Sequence, residues 1–398
     1  MLEHESAYLD GDIVSDDTIY GFIGALNASG FAIRYNTRAS ASEVYHDKKW
    51  HPFNDREEAV LREHLRTKFH TPEGKRYDIK SEDLRYYCNA LAGKNSVDPF
   101  REYLGRIDKW DGIPRLETLF PTLFPGTDGP LDSFVAKYLF LAAVYRAFEP
   151  GYKADIMPII QGEQGTGKST FVEHLTPEPS FFREGVSFHY REKELIESIL
   201  GAVHVEFGEI AGLRRSNIDR LKAFITRRND SNIRLAFERR PDSLMRRCIF
   251  VGTTNSVRPL PNDISGNRRF LVVVIRGTLG TTGIRNWLTV NRNFLWAEAL
   301  FMYHQGEKIY LDDEQEELQS HINLQFRDAD LAVEDTLRST HWRRNSYSMQ
   351  EVMLFSGLIS SKNKVVDQEL YSRVMRALLM LGWEQIKGGK WQPPMTRC

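Results

Sequence analysis

Cysteine is scarce in this 398-residue chain: Cys88, Cys248 and Cys398 are the only three, and none stands in a C-x-x-C spacing. That excludes a disulfide framework and a thiolate zinc site, and it fits a reducing cytoplasm. Long apolar runs are missing too. No stretch of about 18 apolar residues occurs, so no membrane partner is expected. The opening Met-Leu-Glu-His-Glu-Ser is acidic and polar where a secretory signal would be basic and then apolar. The eleven histidines fall into no H-E-x-x-H arrangement and raise no expectation of a structural metal. Net charge is almost absent at −1, which weighs against a protein that coats nucleic acid. Internal repeats and low-complexity segments are also absent.

The charge that is present is unevenly spread. Residues 214–247 hold eleven Lys or Arg against four Asp or Glu, a local excess of seven positive charges, so the remainder is net acidic. A focused patch suits a protein that holds a strand in one channel, although a solvated charged face has the same composition. Residues 1–108 mix strand-like pieces (30–35) with amphipathic helical ones (57–69), as in a small α+β or mostly helical domain. Pro and Gly punctuate residues 108–130. A helix over 131–148, apolar nearly all round, belongs inside a larger domain. Short apolar strands over 156–161, 202–207, 248–253 and 269–274 then alternate with helices, the pattern of an α/β domain with a largely parallel sheet.

The strongest motif follows the first of these strands. Gly162-Glu163-Gln164-Gly165-Thr166-Gly167-Lys168-Ser169, with Thr170 opening the helical run, satisfies G-x-x-x-x-G-K-[ST] in the strand-to-helix context its chemistry requires. The glycines let backbone amides curl around phosphate, and Gly165 and Gly167 are expected in conformations closed to other residues. Lys168 can reach the β and γ oxygens of ATP, and Ser169 can ligate Mg²⁺.

Such a site needs carboxylates at the end of a neighbouring strand. Val203-His204-Val205-Glu206-Phe207-Gly208-Glu209 offers two. Glu209 is favoured as the water-polarising base, with Glu206 assisting as metal ligand or base. An ideal strand puts them on opposite faces, so the choice stays open unless Gly208 breaks the strand first. After the third strand, Asn255 can reach between carboxylate and γ-phosphate as a sensor.

In order along the chain, Tyr103-Leu104, Trp110-Asp111-Gly112, Pro114-Arg115-Leu116, the P-loop, Val205-Glu206 and Gly208-Glu209-Ile210 form a specific series. It continues through residues 221–226, Arg247-Cys248, Gly252-Thr253-Thr254-Asn255, residues 266–270, Ala297-Glu298-Ala299 and Gly306-Glu307. The series resembles the virulence-associated protein E family of phage and mobile-element proteins, related to superfamily 3 helicases of the AAA+ class. The resemblance implies an AAA+ core and a ring-forming motor of phage or satellite DNA replication, as a homo-hexamer with ATP between subunits. It implies that Arg268 or Arg269 reaches a neighbour's γ-phosphate, although two adjacent arginines could equally bind DNA or a carboxylate. It implies DNA contacts from Lys222 on a helix and from Arg239 and Arg240 at the tip of a hairpin with arms over 233–237 and 244–250. Lysine or arginine at such a tip grips phosphate without reading bases.

Residues 348–359 and 367–381 read as two helices followed by strand-like pieces around 387–390, the order of a winged helix, with Arg373, Arg376, Lys387 and Lys390 on helix and wing. A packing module built on Trp383 and Trp391 fits equally well. The expected architecture is therefore α/β: an amino-terminal domain over 1–108, an AAA+ P-loop ATPase core over 109–310, a connector over 311–334 and a winged-helix-like domain over 335–398. The expected function is that of a cytoplasmic, ATP- and Mg²⁺-dependent DNA helicase acting on single-stranded or forked DNA beside a separate primase or polymerase. The alternative is a nucleotide-switched replication initiator or assembly factor that unwinds nothing. Residues 1–108 are too short for a polymerase-like domain, so primase activity is not expected.

Overall fold

The computed structural model describes residues 9–10, 12–14, 18–187, 190–208, 215–233, 242–257, 259–260, 267–326, 331–361 and 368–394. The amino-terminal unit is α+β. Strands β1 (Leu9–Asp10) and β2 (Ile13–Val14) pair antiparallel, and α1 (Ile19–Ser29) leads into a meander of β3 (Ala32–Asn36), β4 (Ala41–His46) and β5 (Lys49–Pro52). After α2 (Asp55–Lys68) and α3 (Ser81–Lys94), β6 (Ser96–Val97) joins β3 in parallel. Asn54 caps α2 by accepting from the amides of Arg56 and Glu57, and acidic residues fill its first turn while Arg66 and Lys68 close its last. Its Leu61 and Leu65 share a core with Phe31 and Val44.

The chain enters the central core well before the expected boundary at 108. Helix α4 (Pro99–Leu104) already buries Phe100 there, its ring 5.0 Å from Trp296 and edge-on to it. A buried ion cluster ties the two units together. Arg38 grips Asp98 at 2.9 and 3.0 Å and donates to the carbonyls of Ala202 at 3.1 Å and Arg247 at 2.7 Å. The Arg247 side chain also reaches Asp98, at 2.9 Å.

Helices α5 (Leu119–Leu123) and α6 (Asp132–Phe148) follow, and α6 is buried almost all round, as its composition requires. Next come β7 (Met157–Gln161), α7 (Lys168–Leu175), β8 (Phe182–Arg183), α8 (Glu192–Ile199) and β9 (His204–Gly208). Helix α9 (Arg215–Ile225) leads to an antiparallel hairpin of β10 (Asn229–Ile233) and β11 (Asp242–Met245), and the chain returns through β12 (Ile249–Thr254) and β13 (Phe270–Val274). The sheet is parallel throughout, in the order β13-β7-β12-β9-β8. One face packs on α6, α7 and the long α10 (Gly280–His304), the other on α8 and α9. Strand alternation sorts the side chains: Ile160 and Val251 go to the first face, Ile159, Val205 and Phe250 to the second.

Two expectations need correction. The hairpin arms are 229–233 and 242–245, because Ile249 and Phe250 belong to the central sheet and Arg246 turns inward to a buried pair with Asp230. Residues 311–334 are more than a connector. Helix α11 (Asp313–Gln325) lies against edge strand β13, where Gln319 donates to the carbonyls of Arg268 and Phe270 and Asn323 to that of Phe270. Spaced four apart on one helical face, these two amides satisfy backbone acceptors that the sheet edge leaves open. Helices α12 (Leu331–Ser339), α13 (Met349–Phe355) and α14 (Gln368–Met380), with the hairpin β14 (Glu384–Ile386) and β15 (Lys390–Gln392), enclose a separate core around Trp383 and Trp391.

His204 opens β9 fully buried, its Nε2 2.9 Å from the Leu139 carbonyl. Burial pushes its pKa down to about 4, against the opposing pull of that carbonyl. An unfolded imidazole titrates near 6.5. Between these values the unfolded chain takes up a proton that the native chain refuses. The stabilisation is thus complete above about pH 6.5 and is lost as pH falls toward about 4, at up to about 1.4 kcal/mol per unit. His204→Gln should therefore unfold with a shallower loss of stability than wild type between about pH 7 and pH 5. Denaturant titrations at both values measure this, and equal slopes would show that His204 does not set it.

Candidate functional site

The P-loop links the end of β7 to α7, and its backbone has the form that the glycines permit. Gly165 and Gly167 have φ of +81° and +88°, as expected. A Cβ on Gly167 would lie 2.7 Å from Ile284 and one on Gly162 2.5 Å from Ile275, whereas Gly165 faces open space. Two glycines are therefore required for packing against α10 and the β13 end, and the third leaves the loop mouth clear. Thr278 donates to the Thr166 carbonyl at 2.8 Å and steadies the loop from the α10 side.

Lys168 is the first residue of α7 and is 8% exposed. Its ammonium donates to the carbonyls of Gly162 (2.8 Å) and Glu163 (2.6 Å) and to Asn255 Oδ1 (2.6 Å). Burial lowers its pKa, opposed by the charge of Glu206. Beside it, Ser169 Oγ donates to Glu206 Oε1 at 2.7 Å, and Thr253 Oγ1 donates to the same oxygen at 2.6 Å. Glu206 is 3% exposed, and its Oε2 is buried with no partner. Alternation explains the meeting. Glu206 lies opposite Val251 in the register and points to the same face, and Thr253, two residues on, points there too.

A cavity of about 450 Å³ opens over these groups, lined also by Gln164, Thr170, Glu184, Gly185, Thr254 and Thr281. Of the residues expected from sequence, Gln164, Gly165, Gly167, Lys168, Ser169, Thr170, Glu206 and Asn255 line it, and Gly162 and Glu163 hold the Lys168 ammonium through their carbonyls. Glu209, Arg239 and Arg240 lie outside the described residues. Arg268 and Arg269 sit just before β13 and do not line this cavity; Arg269 Nε is buried without a partner. Lys222 is 6% exposed within α9. Part of the basic segment is spent within the chain: Arg246 pairs with the buried Asp230, Arg247 with Asp98 and Arg227 with Glu192 at the surface, while Arg228 bonds the Gly151 carbonyl.

Sequence reasoning missed Thr253 as a partner of Glu206, though its position near the end of the strand that leads to Asn255 was the available signal. It also missed Glu184, Gly185 and Thr281, which reach the cavity from β8 and α10 and carry no motif of their own. Glu298 is a further case: fully buried in α10, it accepts from the amides of Arg115 and Leu116 at 2.8 and 3.1 Å, joining two motif segments 183 and 182 residues apart.

The parallel sheet, the glycine loop after β7 and the lysine at its helix start define a P-loop α/β protein. Residues 104–328 match the virulence-associated protein E-like domain, and the chain belongs to that family. The apo structure of the NrS-1 C-terminal region (305–718) is similar over 95% of this chain and 99% of that one, at 12% identity and a TM-score of 0.51. A second structure of that region, an A form, aligns over 92% and 97% at 15% identity and a TM-score of 0.45. The first likeness extends to the fold alone. No curated protein matches the chain. Among the described residues, no helix is long and apolar enough to cross a membrane.

Proposed function

We propose that the chain hydrolyses Mg-ATP and uses the energy as a superfamily 3-like AAA+ motor on DNA in phage or mobile-element replication. The observation that carries this reading is the convergence of Lys168 and Ser169 from the start of α7, Glu206 from β9, and Thr253 and Asn255 from the end of β12 on one cavity. With β12 between β7 and β9, Asn255 comes against Lys168 and Glu206 against Ser169, an arrangement in keeping with the AAA+ core that the family implies.

The residues fit the groups they would hold. Gly165 and Gly167 open backbone amides toward the phosphates, and α7 adds the favourable end of its dipole. Lys168 exchanges neutral acceptors for phosphate oxygens, a trade favoured by its partly desolvated charge. Ser169 and Glu206 would hold Mg²⁺, which when bound neutralises phosphate charge, and the unpartnered Glu206 Oε2 is the oxygen free to serve it or a water. Glu209 is kept as the candidate base, and Asn255 as the sensor linking Lys168 to the γ-phosphate position. Arg239 and Arg240, which fall between the two hairpin arms in sequence, remain the candidate DNA contacts. The unit after residue 331, with its order α12-α13-α14-β14-β15, fits a winged helix.

Glu206→Gln should keep ATP binding but lower hydrolysis by about 10² or more, because the amide accepts from Ser169 and Thr253 yet brings no negative charge to Mg²⁺. Turnover at several Mg²⁺ concentrations measures this, and a variant with wild-type rate and wild-type Mg²⁺ dependence would remove Glu206 from the site.

A second reading, a nucleotide-switched assembly factor, is favoured by one observation: the burial of Lys222 and the pairing of Arg227, Arg246 and Arg247 with carboxylates leave less free positive charge for a strand than the sequence suggests. ATPase assays with and without single-stranded DNA, beside strand displacement on forked duplexes, separate the two. DNA-stimulated turnover with unwinding supports the motor, and turnover indifferent to DNA overturns it.

A further inference from the structure

The amino-terminal unit gathers donor atoms that the P-loop chemistry does not use. In the β4–β5 ladder Val44 lies opposite His51, so His46, two residues beyond Val44, shares a sheet face with His51 on the diagonal. The two-residue turn between these strands holds Asp47 and Lys48 at φ of +49° and +63°, the left-handed backbone that a tight hairpin demands. The register is thereby fixed, and the two imidazoles stack with centroids 4.2 Å apart and planes at 15°. On the facing helix, Asn54 caps α2 so that Glu57, in its first turn, points inward and is 7% exposed.

The polar contacts among these side chains have the form of a ligand shell. His46 Nε2 lies 2.6 Å from Glu57 Oε2, and its other nitrogen, Nδ1, lies 3.1 Å from Asp47 Oδ2. A carboxylate on the far nitrogen fixes the tautomer and turns the near one outward as a donor to a metal. His51 Nε2 is buried with no hydrogen-bond partner. One donor atom from each of His46, His51 and Glu57 lies within 4.8 Å of the others. Ligands around one tetrahedral ion at about 2.0–2.1 Å stand roughly 3.3 Å apart, so side-chain rotations of about 1 Å would close the shell.

We propose that His46, His51 and Glu57 bind a divalent first-row transition metal of the zinc type, with Asp47 orienting His46. Two imidazoles and one carboxylate suit Zn²⁺ or Co²⁺ better than Mg²⁺ or Ca²⁺, which prefer an all-oxygen shell. The ion would cross-link the β4–β5 hairpin to α2 and give the orphaned His51 nitrogen a partner. Spacings of four and five intervening residues, H-x4-H-x5-E, span a turn and a helix start, which is why no motif announces the set.

The test uses the whole chain without a histidine tag, stripped by chelator and then titrated with Zn²⁺ or Co²⁺ alone. One equivalent should bind, with a visible Co²⁺ absorption band from nitrogen ligation and a higher unfolding temperature. His51→Ala should weaken this binding at least tenfold and lose the band. It removes a nitrogen that makes no hydrogen bond, so the apo variant should fold, with ATP turnover as the check. Glu57→Gln should weaken binding similarly. If neither ion binds, or if His51→Ala binds both as wild type does, His46 and Glu57 share only a hydrogen bond and the proposal is wrong.

Discussion

Lys168→Ala is expected to lose ATP hydrolysis almost completely, with turnover falling by about 10² to 10³ or more, the scale seen when one charge-stabilising donor is removed from a preorganised site. The ammonium now serves three acceptors at the cavity wall, the carbonyls of Gly162 and Glu163 and the amide oxygen of Asn255. Truncation opens the space of the Lys168 side chain to the cavity, so water can reach these oxygens and the fold should survive. The phosphates, in contrast, would meet no fixed cation from their own subunit. Purified variant with a wild-type unfolding temperature and no turnover is the expected result. A folded variant that turns over ATP normally would mean that the glycine loop does not hold a nucleotide.

The arginine pair should act between chains. Arg268 and Arg269 precede edge strand β13 and do not line the cavity of their own chain, and α11 braces that edge through Gln319. If one of them completes a neighbour's site, its alanine variant should bind ATP and fail to hydrolyse it, at a cost of about 10³ to 10⁵ in rate. Mixing that variant with Lys168→Ala should restore part of the activity, because an intact pocket on one chain then meets an intact arginine on the next. Co-assembly of the two variants must be demonstrated in the same sample. Verified mixed assemblies that remain inactive, or single arginine variants that hydrolyse ATP at the wild-type rate, would assign Arg268 and Arg269 to a structural or DNA-contacting role.

The parallel strands were legible because they are buried on both faces and therefore read as continuous apolar runs between glycine-rich turns. Strand β8 was not, since two residues carry no pattern. The P-loop was legible residue by residue, because each position answers to a local demand of backbone or phosphate. Glu206 was readable as a carboxylate at a strand end, yet its role depends on Thr253 and Ser169, which reach it from another strand and from a helix. Such convergence is a property of register rather than of spacing. Charge misled in a specific way. A run of arginines looks alike whether it faces solvent or, as with Arg246 and Arg247, turns inward onto Asp230 and Asp98. The histidine set was illegible for a similar reason, since its donors are brought together by a hairpin register and a helix cap.

The cluster of Arg38, Asp98 and Arg247 gives the inheritance of this protein a boundary different from its mechanics. Family likeness begins at residue 104, downstream of both Arg38 and Asp98. Yet Arg38 holds the carbonyls of Ala202 and Arg247, just ahead of the strands that carry Glu206 and lead to Asn255. A fragment cut where the likeness begins would keep Arg247 without its carboxylate and those carbonyls without their donor. The portion recognisable by descent is thus smaller than the portion that this cluster binds together, and the amino-terminal unit is anchored beside the strands that build the cavity.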